Sequence, residues 1–245
     1  MCQRSNITKP QITPMRPLRI GIIGSSNGSA LRKSLGILKA TDATPIQFVI
    51  ISDRQCGIVS LAQEKDIPHY LIAEPDNRLF SQKSRDTLDS IGGVDIVLLF
   101  FTRLITAELL SFYPCVNIHP ALLPLFKGMD ATQQFINSGC RFLGCSLHLI
   151  NEQLDDGPII AQVCSPMPLG ADIALVNRYS YIQKIYLTLL LLELLMENKL
   201  SVTPVNFTLL GGLAYNAYAN PCITDSPTLQ MLVDYQNSLG IKVVE

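Results

Sequence analysis

The sequence predicts an α/β fold built on a mostly parallel, twisted sheet flanked by helices. Two observations lead there. Short apolar runs rich in β-branched residues recur along the chain, and stretches with helical patterning alternate with them, as a parallel sheet with crossover helices requires. Leu18–Ile23, Gln47–Ile51 and Val94–Phe101 read as fully buried parallel strands, because they are almost continuously apolar. With an extended segment at Val116–His119 and two later runs, Gly144–Ile150 and Ile159–Ser165, roughly five or six strands are legible.

Taken in order, the first strand runs into Gly24-Ser25-Ser26-Asn27-Gly28-Ser29, a turn that offers backbone N–H groups and hydroxyls ahead of a helix over Ala30–Lys39. The positive end of a helix dipole favours an anion at such a place, although many turns of this kind bind nothing. The turn does not fit the dinucleotide fingerprint. Helices are expected over Val59–Lys65, Ser81–Ser90, Thr106–Ser111 and Ala131–Ser138. A long one should follow from about Asp172 to Asn198, with Asp172 as its N-cap. Its run Ile185–Met196 is apolar apart from Thr188 and Glu193, but Lys184, Glu193 and Glu197 bracket or interrupt it well short of the roughly 20 apolar residues of a membrane span, so a buried helix is expected. A last helix is read at Pro227–Ser238.

The expected organisation is a flexible tail over residues 1–17, one catalytic domain over 18–200 and a C-terminal extension over 201–245. The tail carries Pro10, Pro14 and Pro17 and no acidic residue, and the extension has no readable motif. The extension is left three options: packing on the sheet edge, covering a pocket or self-association.

Composition narrows the function. The chain has 245 residues, 48% hydrophobic and 16% charged, with a net charge of −1, which argues against nucleic-acid binding as its main work. Seven cysteines form no metal-ligand pattern, and their scatter without a secretory signal fits reduced thiols in a cytoplasmic protein.

The chemistry concentrates in two segments. Val116-Asn117-Ile118-His119-Pro120-Ala121-Leu122-Leu123-Pro124 supplies an amide and an imidazole, and Gln153-Leu154-Asp155-Asp156-Gly157-Pro158 supplies a carboxylate. Asn117 and His119 share one face of an extended segment, and Pro120 must end its pairing, at the kind of strand end where open α/β sheets hold ligands. An amide donor stabilises a developing oxyanion, an imidazole moves a proton near neutral pH, and a nearby carboxylate orients the imidazole and favours its charged form. Acyl or formyl transfer fits this set. No serine or cysteine is tied to His119 as a nucleophile, which favours direct attack by a substrate amine.

With these motifs in view, the sequence resembles the folate-dependent formyltransferases over roughly residues 18–200, and most of all the members acting on glycinamide ribonucleotide in purine synthesis. The resemblance rests on Asn117-Ile118-His119-Pro120, Leu122-Leu123-Pro124, Phe126-Lys127-Gly128, Gly144-Cys145-Ser146-Leu147-His148 and Leu154-Asp155-Asp156-Gly157-Pro158, in matching order and spacing. It implies a Rossmann-like formyltransferase fold, catalytic roles for Asn117, His119 and Asp155, and 10-formyltetrahydrofolate as co-substrate without a metal. By the same resemblance Thr102, Arg103, Leu104 and Ile105, with Asn151, Glu152 and Gln153, line the pterin pocket, and Asn27, Gly28 and Ser29 hold a substrate phosphate. Lys127 and Gly128 fall in the acceptor-side loop, and His148 supports the site from behind or is a core histidine. The implied partners are small molecules, with no nucleic acid and no membrane, and a homodimer is left open.

Several positions depart from the family pattern. Asp156 and Phe100 stand where small residues are usual, Ala30 replaces an asparagine, and Ser180–Ile185 carries no carboxylate where the glycinamide enzymes have a Glu-His pair. Three readings follow: formyl transfer to glycinamide ribonucleotide; transfer to another amine such as an amino sugar nucleotide, with hydrolysis of the formylfolate beside it; or folate binding without catalysis.

Overall fold

The computed structural model describes residues 16–38 and 46–244. Ten strands and seven helices are found among them. The parallel part of the main sheet consists of β1 (Leu18–Gly24), β2 (Ile46–Ser52), β3 (His69–Leu71), β4 (Ile96–Phe100) and β5 (Cys115–His119). Antiparallel strands β6 (Phe142–Leu149), β7 (Ile159–Pro166) and β10 (Ala219–Asn220) extend it, giving the order β10-β7-β6-β5-β4-β1-β2-β3. The expected mostly parallel sheet is present, and sequence order reverses beside β1, where β4 pairs on one side and β2 on the other.

Alternation along each strand feeds two cores. Ile20, Ile22, Ile50, Leu98, Val116 and Ile118 belong to one core, while Ile23, Val49, Ile51, Val97, Leu99 and Cys115 belong to the other. With both faces covered, consecutive positions 20–24, 49–52 and 96–99 of β1, β2 and β4 are buried, which is why these strands read as continuous apolar runs. The first core takes in residues of α1 (Ser29–Ile37), α2 (Gly57–Glu64) and α6 (Ile173–Met196), and the second those of α3 (Asn77–Ser90) and the short α4 (Ala107–Leu110). Helix α5 (Ala131–Ser138) packs Phe135 into a smaller cluster with Leu143, Met167 and Val176.

Helix α6 is capped as expected: the Asp172 carboxylate accepts the Leu175 N–H at 2.8 Å. It is buried nearly all round from Ile185 to Leu195, the mark of a central helix. No helix among the described residues is long and apolar enough to cross a membrane. The buried Glu193 explains itself through the segment beyond. Its Oε1 accepts the Thr224 N–H at 2.7 Å and the Thr224 hydroxyl at 2.6 Å, and its Oε2 accepts the Asp225 N–H at 3.3 Å.

Residues past 200 pack on the sheet edge and on the helical layer. β8 (Leu200–Val202) and β9 (Phe207–Leu209) form a separate hairpin, β10 pairs with β7, and α7 (Ser226–Ser238) packs on α1 and α6. Leu232, Ile241, Val243 and Val244 enter the first core, and Gln236 Oε1 accepts the Val243 and Val244 N–H groups at 2.9 and 3.0 Å.

Boundaries shift where local hydrogen bonds compete. β4 starts at Ile96 rather than Val94, because the Asp95 side chain takes the Arg19 N–H at 2.8 Å. α3 starts at Asn77, before Ser81, because Asp76 caps it through the Leu79 N–H at 2.8 Å. The segment 106–111 contracts to Ala107–Leu110, while Lys39 and the tail 1–15 lie outside the described residues.

Candidate active site

β5 carries Asn117 and His119 on one sheet face and stops at Pro120, as the period-two argument requires. The antiparallel partner β6 sets His148 opposite Asn117 and Ser146 opposite His119. Four polar side chains therefore meet on one patch of the sheet. The loop after β6 returns Asp155 to it through a left-handed backbone (φ 49°), just before Gly157. A Cβ at Gly157 would stand 1.7 Å from the Leu149 carbonyl oxygen, so only glycine permits this close return.

Asp155 Oδ2 lies 3.3 Å from His119 Nδ1 and accepts the Gly128 N–H at 2.9 Å. Its other oxygen lies 3.6 Å from His148 Nε2. His119 Nε2 stands 2.7 Å from the Phe126 carbonyl oxygen. A carbonyl only accepts, so Nε2 carries a proton, and Nδ1 is the nitrogen that faces the carboxylate. Both histidines are almost wholly buried, at 4% and 2% exposure, so the three-group cluster is screened little by water. Burial pushes His148 below the usual imidazole range, against the opposing pull of its bond to the Leu149 carbonyl and of Asp155.

Ser146 fixes the loop that follows His119. Its hydroxyl donates to the Ala121 carbonyl at 2.8 Å and accepts the Leu123 N–H at 3.0 Å. Gln162 of β7 reinforces this by donating to Ser146 Oγ at 2.8 Å and to the Leu123 carbonyl at 3.0 Å. Lys127 and Asp156 form an ion pair between the loop that follows β5 and the Asp155 loop. The sequence held no signal for either the Gln162 brace or this pair, since each depends on a fold-level juxtaposition.

The turn Asn27-Gly28-Ser29 lies between two helix N-termini. Gly28, in the left-handed region at φ 62°, is the N-cap of α1 and makes no side-chain cap bond. A Cβ on Gly57 would meet Asn27 Cα at 2.6 Å, and the Ile58 N–H donates to the Ser26 carbonyl at 3.1 Å, so α2 starts against the turn. Ser25 joins it to the neighbouring strand end: its N–H donates to the Phe100 carbonyl at 3.1 Å, and its hydroxyl lies 3.2 Å from that of Thr102.

Of the residues after β4, Arg103 is committed to the scaffold. Its guanidinium donates to Asn77 Oδ1 at 3.0 Å and to the Glu74 and Pro75 carbonyls at 2.8 and 2.7 Å, and lies 3.3 Å from Asp53. It also lies over the rings of Phe80 and Phe101. Thr102 and Leu104 are exposed, and Ile105 is buried. Asn151, Glu152 and Gln153 are exposed, with the Gln153 N–H donating to Asn151 Oδ1 at 3.0 Å. No group of three or more histidine, cysteine or acidic side chains placed to hold a metal occurs among the described residues.

In the segment 180–185, Ser180, Ile182, Gln183 and Ile185 are buried. Gln183 donates to the Leu143 carbonyl and to Ser165 Oγ, each at 3.1 Å. Tyr181 is half-buried, its hydroxyl 3.5 Å from the Ser29 carbonyl oxygen.

Comparison with known proteins identifies the family. Residues 18–174 match the formyl transferase family. The chain is 31% identical over 173 residues to a phosphoribosylglycinamide formyltransferase of Mycobacterium tuberculosis, covering 66% of this chain and 77% of that protein. It is also 31% identical over 151 residues to the protein of that name from Bacillus subtilis, covering 59% and 77%. A formyltetrahydrofolate deformylase of Escherichia coli is 33% identical over 107 residues, covering 42% and 38%. Among solved structures, glycinamide ribonucleotide transformylase 1 from Symbiobacterium toebii superposes with a TM-score of 0.68 at 27% identity, covering 79% of this chain and 94% of that one. The enzyme of the same name from Geobacillus kaustophilus gives 0.68 at 26% identity, covering 74% and 100%. The chain belongs to the formyl transferase family.

Proposed function

We propose that this enzyme transfers the formyl group of 10-formyltetrahydrofolate to an amine, with glycinamide ribonucleotide as the first candidate acceptor. The observation that carries the reading is the convergence of Asn117, His119 and Asp155 at the end of β5, an amide, an imidazole and a carboxylate in one nearly buried volume. The amine nitrogen attacks the formyl carbon. The Asn117 amide and the His119 Nε2–H, redirected from the Phe126 carbonyl, stabilise the oxyanion of the tetrahedral intermediate. Asp155 holds the imidazole and, through an ordered water, passes the proton released by the amine to N10 of the departing folate as the carbonyl re-forms. The residues Thr102–Ile105 and Asn151–Gln153 would hold the pterin, and Asn27, Gly28 and Ser29 the phosphate of the acceptor at the α1 N-terminus.

One observation favours a second reading, transfer to a different amine such as an amino sugar nucleotide. The segment 180–185 presents buried Ile182 and Gln183 and a half-buried Tyr181, with no carboxylate for an acceptor ammonium. Steady-state turnover with glycinamide ribonucleotide and a panel of amino sugar nucleotides separates the readings. Low KM and fast turnover with the glycinamide support the first, and a higher kcat/KM with an amino sugar supports the second. Formate release independent of any amine would replace both with hydrolysis.

A further inference from the structure

The Asp155 carboxylate faces two imidazoles rather than one, and the hydrogen-bond arithmetic of the three groups does not close with neutral rings and an ionised acid. His148 Nδ1 stands 2.9 Å from the Leu149 carbonyl oxygen, so it must be the protonated nitrogen. His148 Nε2 is then a lone-pair acceptor, buried, without a hydrogen-bond partner, and aimed at Asp155 Oδ1 from 3.6 Å. His119 repeats the pattern: Nε2–H is committed to Phe126, and Nδ1 faces Asp155 Oδ2. Two acceptor nitrogens thus flank an acceptor carboxylate, and a buried acceptor left unpaired is costly. A proton held among the three groups relieves this at either end.

We propose that His148 is a positioning residue of the catalytic centre, sharing with Asp155 and His119 a single proton that moves between the two sides of the carboxylate. With the proton on His119 Nδ1, Asp155 is ionised and the imidazolium serves the oxyanion. With the proton on Asp155 Oδ1, it bonds to His148 Nε2 and His119 is neutral. The move transfers one proton from Nδ1 to the carboxylate and changes no net charge. Asp155 and His119 are the titratable groups that face His148 across the β5–β6 pair, with the Lys127–Asp156 pair on the same loops. His148 also stands opposite Asn117 in the ladder, a cross-strand neighbour of the proposed oxyanion donor on the same sheet face.

The inference rests on the formyl-transfer reading for its catalytic meaning, but its first test needs no turnover. The chain has only three histidines, so in a His69→Asn background the ring nitrogens of His119 and His148 can be followed by NMR as pH is changed. Sharing predicts that both rings respond at a common midpoint and that Asp155→Asn uncouples them. In His148→Phe the remaining acceptor is lost, so the cluster releases its proton more readily and the midpoint falls by about half to one pH unit, the scale of one hydrogen bond. The high-pH limb of the formyl-transfer rate profile should move acidward with it. His148→Gln, whose amide oxygen is a weaker acceptor than the imidazole nitrogen, should keep the fold, checked by thermal melting, and show a smaller shift in the same direction. Independent titration of the two rings in the parent, or unchanged midpoints in both His148 variants, would overturn the proposal and leave His148 a packing residue.

Discussion

Asp155 Oδ2 sits 3.3 Å from His119 Nδ1 while also accepting the Gly128 N–H at 2.9 Å, so a single carboxylate oxygen ties the end of β5 to the loop that follows it. His119→Ala and Asp155→Asn should each remove most formyl-transfer activity while folate affinity stays within roughly tenfold, because the groups act mainly in the transition state. Asn117→Ala should lower kcat by roughly 10²-fold or more, the scale of one oxyanion donor. Rate constants and folate Kd measured together decide this, and near-normal turnover in the His119 or Asp155 variant would sink the assignment.

Ser29 begins α1 directly after the left-handed Gly28, where the dipole and free N–H groups favour an anion. Ser29→Asp places a carboxylate there. Competition by inorganic phosphate or a phosphorylated acceptor should weaken at least tenfold in the variant, roughly the cost of one like-charge contact, while folate binding changes little. Phosphate that neither binds nor inhibits the parent protein would make the turn structural.

The leucine-rich α6 is joined to the C-terminal segment by Glu193, through its bonds to Thr224 and Asp225. Glu193→Ala removes the acceptor of donors on the exposed Thr224 and the half-buried Asp225 and should destabilise the protein by about 1–3 kcal/mol, with Glu193→Gln costing less because an acceptor remains. Urea midpoints report the difference. Equal stability in all three proteins would mean that the segment past residue 200 is held by apolar packing alone.

Acid should weaken the fold before ordinary carboxylates titrate. Burial lowers His69 and His148 below the usual 6.5, so the unfolded chain takes up these protons first as pH falls through that value, and stability declines there. Asp53, Glu74 and Glu108 are lowered from 3.8, 4.5 and 4.5 by their hydrogen-bonded partners, so their contribution is lost only at still lower pH. Urea denaturation at about pH 7.5 and about pH 5.5 should show a lower midpoint at the acid value. Its dependence should shrink in a variant lacking His69.

Local signals were the legible ones. Asp172 announced α6 because an N-cap acts over three residues, and the buried strands declared themselves because both sheet faces are covered. β3, with only His69–Leu71, and β10, with only Ala219–Asn220, have no pattern of their own and exist by pairing with β2 and β7. At the site, the shared face of Asn117 and His119 followed from strand periodicity, whereas the approach of Asp155 was carried by the family resemblance. The Lys127–Asp156 pair and the commitment of Arg103 to Asn77, Glu74 and Pro75 were illegible, because each depends on where separate loops come to rest.

The central claim is that the formyl carbon ends on an amine nitrogen. Carbon-13 labelling of the formyl group of 10-formyltetrahydrofolate, followed by NMR during turnover with glycinamide ribonucleotide, observes that fate directly. The account predicts loss of the folate signal and growth of a formamide signal in equal amount, abolished in the His119→Ala protein. Label accumulating as free formate, or remaining on bound folate with every amine supplied, would contradict it.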